Sequence, residues 1–399
     1  MENNRRAEGP RVLDGVRVLD FTAVIAGPYC TRMMADLGAE VLKVETFEGD
    51  LVRFVEPLRG KTSAMFSALN SGKKSLSLDL KNAEATNIVR RLVPHYDVVV
   101  ENFSPGVMRR LGLNYEILSA ENSRLIMCSI SGFGQTGPGA ERPAYAPIVQ
   151  AYSGYEDVTR RAQGGLEKPL NMGLPVGDTS ASLQALGAIN AALFYRERTG
   201  IGQYIDISML DTVLSTMAKD FQMGQLPGTP DRKYGPVATK DGYIIVMPLN
   251  PRHFESLAVC IEQPDLVDDP RFSTTTARIR NYDQLYPIVE AWSTTHQSAD
   301  ALAKLEAAKI PCGPYLTISE VANDPQLTHR NMITAIEDAE GELRAPNTPF
   351  LFSETHAAVQ PKVAQIGEHN EEILCGNLGL SAAEFAHLRD SGVVGPSPS

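Results

Sequence analysis

Residues 16–45 read VRVLDFTAVIAGPYCTRMMADLGAEVLKVE, and this stretch decides the fold. Val16-Arg-Val-Leu-Asp20 reads as a short apolar strand and Thr22 to Gly27 as a loop. Pro28 to about Leu37 reads as a helix, and Val41-Leu-Lys-Val-Glu45 as the next strand. Proline near the helix start and Gly38 just past its end follow the usual asymmetry of helix termini. Strand, helix and strand within ~30 residues make a βαβ unit, which implies a parallel sheet. The pattern continues with a strand over 75–80, a helix over 82–92, a buried strand over 97–100, a short helix over 105–111 and a buried strand over 125–131. The Gly/Pro-rich loop Gly132-Phe-Gly-Gln-Thr-Gly-Pro138 follows. The first half is therefore an open α/β sheet, with ligands expected at the carboxyl ends of its strands.

Further along, 203–208 reads as a strand and 210–221 as a helix, before a Pro/Gly-rich linker at Gln225-Leu-Pro-Gly-Thr-Pro230. Beyond it, a strand over 242–247 and amphipathic helices over 253–261 and 282–295 predict a smaller α+β unit ending near Pro325. The tail carries a short strand-like run over 341–344 and a helix over 369–374. The first ten residues read as a disordered lead-in without a signal peptide.

Composition narrows the function. A net charge of -11 argues against nucleic acid or an anionic membrane as partner. No run approaches the ~20 apolar residues of a membrane span. The five cysteines, at 30, 128, 260, 312 and 375, form no C-x-x-C pair. They read as thiols of a soluble cytoplasmic protein, and no metal site is expected. There is no dinucleotide fingerprint, no Walker A motif, no G-x-S-x-G elbow and no H-E-x-x-H. None of the seven histidines falls between Tyr96 and Asn250, which counts against histidine chemistry near the middle of the chain.

One carboxylate stands out. In Leu174-Pro-Val-Gly-Asp-Thr-Ser-Ala-Ser182, an extended run delivers Asp178 to the start of a long apolar-rich helix read over 179–198. Asp178 is either a helix cap or a nucleophile approached past Gly177 and held by the helix N-terminus. Lys73, Lys74 and Lys81 bracket one strand, and Arg109 and Arg110 follow another. They are either solvated faces or a phosphate-binding cluster. Phe103, in Glu101-Asn-Phe-Ser-Pro-Gly106, either stacks on a purine or fills the core under its loop.

Together these segments resemble the family III CoA-transferases, the superfamily of formyl-CoA transferase, carnitine CoA-transferase and α-methylacyl-CoA racemase. The resemblance covers roughly Leu13 to Leu380. Its motifs are Leu13-Asp-Gly-Val-Arg-Val-Leu-Asp-Phe-Thr22, Ala26-Gly-Pro28, Asp36 to Glu45, Asn70-Ser-Gly-Lys-Lys-Ser75, Val100 to Gly106 and Ser131 to Pro138. Gly177-Asp178, Arg198-Thr-Gly-Ile-Gly-Gln203, Ile310-Pro-Cys-Gly-Pro314 and Gly367-Glu-His369 complete the set. Each is short, and their order and spacing carry the specificity.

The resemblance implies a Rossmann-like large domain built from both chain ends (1–222 and 331–399), a small domain over 223–330, and an interlocked homodimer. It implies CoA exchange between an acyl-CoA and a free carboxylic acid, with no permanently bound cofactor. Asp178 falls on the catalytic aspartate. Val24, Leu78, Lys81, Asn102, Phe103 and Arg110 fall on CoA-contacting positions, with Phe103 by the adenine, and Tyr145 is expected to line the acyl or pantetheine pocket.

Thr46 stands where formyl-CoA transferases carry a CoA-binding arginine, and Arg53 is the nearby substitute. The glycine-rich loop that caps those enzymes has no counterpart, so oxalate and formate are not the expected acids. Backbone N–H groups near Gly132–Gly137 or at Gly177 are the expected oxyanion donors. Two other readings stand beside this one. Racemases pair the aspartate with a histidine in a Gly-His-Asp segment; here Pro143-Ala-Tyr-Ala-Pro147 puts Tyr145 there, a phenol of pKa ~10. A non-catalytic acyl-CoA-binding protein would have lost the nucleophile, and Asp178 is present.

Overall fold

A computed structural model describes residues 9–226 and 234–398. Most of the expected lead-in and of the 225–230 linker lies outside these residues. The chain forms two compact units: residues 1–155, 173–217 and 326–399 make the first, and 156–172 with 218–325 the second. The stretch 156–172, which the sequence division kept with the first segment, thus groups with the second.

The first unit is built on six strands: β1 Arg17–Asp20, β2 Glu40–Glu45, β3 Lys73–Ser77, β4 Val98–Glu101, β5 Ile126–Ser131 and β6 Tyr204–Ser208. Their order is β3-β2-β1-β4-β5-β6, and every neighbouring pair is parallel. The order reverses between β1 and β4, the crevice where doubly wound sheets bind ligands. The helices that matter for the site are α1 Ala26–Asp36, α2 Ala83–Leu92, α3 Ala146–Tyr152, α4 Val176–Thr199 and α5 Met209–Thr216. Asn82 caps α2 through Glu84 N–H, so that helix starts where the sequence placed it.

Strand alternation sorts the sheet into two chemically different faces. Leu19, Phe21, Leu42, Val44, Leu76 and Leu78 join Ile88, Val89 and Leu92 of α2 in one apolar core. Their neighbours Asp20, Lys43, Glu45, Lys73 and Ser75 point the other way, and all five are buried. On that face Thr31 of α1 hydrogen-bonds Asp20, and α1 packs against α4.

Several local expectations shift. The third strand lies over 73–77 rather than 75–80, because Asp79 turns the chain by accepting Lys81 N–H on its side chain and Asn82 N–H on its carbonyl. The helix read over 210–221 breaks at Met217 into α5 and a helix Ala218–Gln225. The helix read over 369–374 is a wide π-type segment Glu372–Asn377. A further helix, Ala382–Asp390, is closed by a Ser381/Glu384 capping box.

In the second unit, β7 Val237–Ala238, β8 Tyr243–Val246 and β9 Cys312–Pro314 form a small antiparallel sheet in the order β9-β8-β7. Helices Pro251–Cys260, Tyr282–Ser293 and Ser298–Ala307 cover it over a core that includes Phe254, Leu257, Phe272 and Leu285. The chain then returns to the first unit. β10 Ile333–Asp338 pairs with β11 Gly341–Pro346 as a hairpin, of which the sequence reading had only the second strand. The last segment joins the edge beyond β3, where Gly395 N–H bonds Ser77 O and Asp79 N–H bonds Val393 O. Among the described residues no helix is long and apolar enough to cross a membrane.

Candidate active site

The crevice between β1 and β4 is walled by two loops, 21–25 and 102–106. Asn102 ties them together: its Oδ1 accepts Ala23 N–H and its Nδ2 donates to Ala23 O, both at 2.8 Å. Next to it Val24 takes the left-handed φ of 69°, strained for a β-branched residue. Its N–H points at the Asp50 carboxylate, 3.2 Å and 3.3 Å from the two oxygens. Phe103 is half-buried, packing on the apolar core while leaving part of its ring open. The core-packing reading of this aromatic therefore holds in part. Arg110 is exposed and folds back over the loop; a Cβ added at Gly106 would lie 3.2 Å from its guanidinium.

The basic residues divide sharply. Lys81 is exposed at the carboxyl end of β3 and forms no ion pair within 4.0 Å among the described residues. It lies near Glu48, on the loop after β2. Two strands separate β3 from β4, so their carboxyl ends lie roughly 14 Å apart at the ~4.8 Å strand spacing. Lys73 and Lys74 do not belong with them. Lys73 is buried and bonded to Asp20, Asn70 and Pro28 O, and Lys74 pairs with Glu372 at 2.7 Å. The proposed cluster therefore shrinks by two.

Leu78 is fully buried, backbone included, and its N–H bonds Glu45 O at 2.9 Å, so the expected CoA contact is not open at this residue. Arg53 is no substitute for the missing arginine. Its guanidinium grips both Glu45 oxygens at 2.9 and 2.7 Å, donates to Ala364 O, and stacks 3.8 Å over Phe66.

Asp178 is placed by three packing constraints. Helix α4 begins at Val176, three residues earlier than read, with Pro175 in the cap position and no side-chain cap. Asp178 therefore sits inside the first turn, and the capping reading fails. Gly177 lets this turn approach α3 and α5: a Cβ there would lie 3.3 Å from Met209 Cε and 3.4 Å from Ala146 Cα. Ser182, one turn on, donates to Ala26 O at 2.6 Å, fixing α4 against the start of α1. The Asp178 side chain is half-buried and accepts no hydrogen bond among the described residues. Burial alone pushes its carboxyl up to about 6.

Tyr145 precedes α3 and is 63% exposed, on the segment that packs against Gly177. Two expected oxyanion donors are already engaged. Gly177 N–H bonds the buried Gln150 Oε1 at 3.3 Å, and Gln135 N–H bonds Asp206 at 3.0 Å.

Sequence reasoning missed Gln150 and Ser182, which look like ordinary polar helix residues. It also missed Glu101, which is buried at the end of β4 and accepts Phe103 N–H at 2.8 Å. Burial raises Glu101 to about 7, against the opposing hydrogen bonds of Ser129 and Phe103. Among the described residues no group of three or more His, Cys, Asp or Glu is placed to hold a metal ion.

Asp178 is thus a half-buried carboxylate with no hydrogen-bond partner among the described residues, on a helix tied to the start of α1 through Ser182. The profile of CoA-transferase family III matches residues 13–370. A succinyl-CoA–D-citramalate CoA-transferase of Chloroflexus aurantiacus is 35% identical over 96% of this chain and 98% of its own length. A succinate–glutarate CoA-transferase of Agrobacterium fabrum is 34% identical over 91% and 94%. A formyl-CoA:oxalate CoA-transferase of Streptomyces coelicolor is 32% identical over 96% and 99%. Among solved structures, a CaiB/BaiF family protein from Brucella suis superposes with a TM-score of 0.81 at 34% identity, over 92% of this chain and all of that one. The chain belongs to CoA-transferase family III, and it is a CoA-transferase acting between an acyl-CoA and a carboxylic acid.

Proposed function

We propose that the enzyme takes CoA from succinyl-CoA and gives it to a small dicarboxylic or hydroxy acid, with Asp178 as the covalent carrier. The observation that carries this is the Asp178 carboxylate itself: desolvated, held in the first turn of α4, and accepting no hydrogen bond among the described residues. The succinyl-CoA donor is supported by the names of relatives, among them the D-citramalate and glutarate enzymes.

The steps balance without ATP or metal. Asp178 attacks the thioester carbonyl, the C–S bond breaks, and a mixed anhydride and CoA thiolate form. The thiolate attacks the aspartyl carbonyl, releasing succinate and leaving an aspartyl-CoA thioester. The acceptor carboxylate displaces the thiolate to make a second anhydride. The thiolate then takes the acceptor's acyl group and frees Asp178. A thioester is exchanged for a thioester, so the net free energy is near zero. A pKa of about 6 keeps Asp178 ionised at neutral pH yet makes it more basic than an exposed aspartate, which suits a nucleophile.

The CoA would lie across the carboxyl ends of β3, β2, β1 and β4. Lys81 and Arg110 would meet its phosphates, Phe103 its adenine, and the backbone of Val24 its pantetheine. Asn102 would act by holding loop 21–25, and Tyr145 would face the acyl group. A large CoA-binding domain with an inserted small domain, paired as an interlocked homodimer in the cytoplasm, completes this reading. Leu183, Phe194 and Tyr195 on α4 are 52%, 67% and 47% exposed, as helix residues covered by a partner would be.

The test is to incubate the protein with succinyl-CoA, trap with hydroxylamine, and map the modified peptide by mass spectrometry. A label on Asp178 supports the reading. No label, with α-proton exchange of a 2-methylacyl-CoA in deuterated water, would replace it with racemisation.

A further inference from the structure

Six charged side chains cluster beneath the crevice without a role in the chemistry above. Asp20, Lys43, Glu45, Asp50 and Lys73 are each no more than 5% exposed, and the Arg53 side chain 14%. Three anions face three cations, paired as Lys73–Asp20 at 3.0 Å, Lys43–Asp50 at 3.1 Å and Arg53–Glu45 at 2.7 Å. Burying ions costs several kcal/mol each, and well-packed apolar residues would often stabilise a core as well. The cluster therefore calls for an explanation other than stability.

Its remaining hydrogen bonds give one. Lys43 Nζ donates to Thr22 O at 2.6 Å, and Asp50 accepts the N–H groups of Val24 and Val52. Asp20 accepts Thr22 N–H at 2.9 Å, and Asn102 takes both backbone groups of Ala23. Loop 22–24 is thus held residue by residue by three buried side chains and the half-buried Asn102, from four different segments. It has little freedom on its far side: a Cβ added at Gly27 would fall 2.2 Å from Thr22 Cβ.

We propose that the buried Lys43–Asp50 pair is a positioning device for acyl-CoA binding, holding loop 22–24 and the left-handed Val24 in the shape that the pantetheine arm meets. This rests on the CoA placement proposed above. The pair touches no reacting atom; it acts through the loop. The strain at Val24, a β-branched residue at positive φ, persists because Asp50 and Lys43 fix the peptide on either side of Ala23.

The experiment compares steady-state kinetics of Asp50→Asn, Asp50→Glu, Lys81→Ala and Arg110→Ala with succinyl-CoA as varied substrate. Asp50→Asn should raise the KM for acyl-CoA about tenfold, with kcat within about threefold and the KM of the acceptor acid unchanged. Asp50→Glu should recover part of the loss. A purely structural role would lower the melting temperature and leave the KM of the folded enzyme alone.

If Lys81→Ala and Arg110→Ala leave the acyl-CoA KM unchanged, the CoA placement fails and this proposal with it. If they raise it and folded Asp50→Asn does not, only the positioning role is overturned. Hydrogen exchange on the unmodified free enzyme covers the case in which Asp50→Asn does not fold. The Val24 amide should be protected at least about 100-fold over an open loop, and free exchange there would also overturn the proposal.

Discussion

Asp20 and Asp178 lie in the same unit, and they are opposite kinds of carboxylate. Asp20 is fully buried, and its oxygens accept from Thr22 N–H, the Thr22 and Thr31 hydroxyls and Lys73. Burial would push it up, yet Lys73, Lys43 and the two hydroxyls hold it down at about 2. Asp178 is less buried, has no hydrogen-bond donor among the described residues, and rises to about 6. Depth of burial alone therefore does not set the chemistry of an acid. Neighbouring charge does: Lys73 and Lys43 lie beside Asp20 and hold it ionised, while burial alone acts on Asp178.

The largest effect separates them by function. Asp178→Ala should cut turnover by about 10⁴-fold or more, the scale seen when a covalent nucleophile is removed, while the melting temperature stays near that of the parent. Loss of stability in place of loss of turnover would dissolve the contrast. The complementary substitution is Asp20→Asn. It leaves Lys73 buried beside a neutral amide and should cost about 3–5 kcal/mol in urea unfolding at pH 7. A change under about 1 kcal/mol would mean the pair contributes little.

Proton linkage sharpens the comparison further. Since Asp178 must be ionised to attack, kcat/KM should fall tenfold per pH unit below about 6, following a single proton. A profile flat to pH 5 would show that the carboxylate of the free enzyme is not raised to about 6. The smallest effect is on stability. The raised pKa means that the folded protein holds the Asp178 proton more tightly than the unfolded chain does. The resulting penalty is absent below pH ~4 and complete above pH ~6. Asp178→Asn should thus be more stable than the parent by about 1–2 kcal/mol at pH 8, and indistinguishable from it below pH 4. Equal stability at both pH values would count against a desolvated carboxylate.

The same contrast marks how far the sequence could be read. The six strands, the inserted α+β segment and the lone position of Asp178 were legible because they rest on periodicity, turn residues and ordered motifs. The partners of each charge were not. Lys73 and Lys81 look alike in a list of basic residues, yet one is sealed against Asp20 and the other faces solvent. Val41-Leu-Lys-Val-Glu45 read as a strand, and nothing local revealed that its two charges, Lys43 and Glu45, meet Asp50 and Arg53 in the interior. Arg53 was assigned outward for the same reason. Pairing is a property of the folded sheet, where residues 20, 43 and 73 become neighbours. The helix after Ser381 was a different kind of omission, since Ser381-Ala-Ala-Glu384 carries a capping signature on its face.

The return of the chain to its first unit also has a meaning for biosynthesis. The second unit is encoded almost wholly by residues 218–325 and can close its core while the ribosome is still at work. The parallel sheet cannot finish with it. Its edge beyond β3 waits for Val393 and Gly395, and Lys74 waits for Glu372. At ~5–20 residues per second, translating residues 326–395 takes roughly 4–14 s. For that interval a nascent sheet with an open hydrogen-bonding edge lies exposed to chaperones and to neighbouring chains.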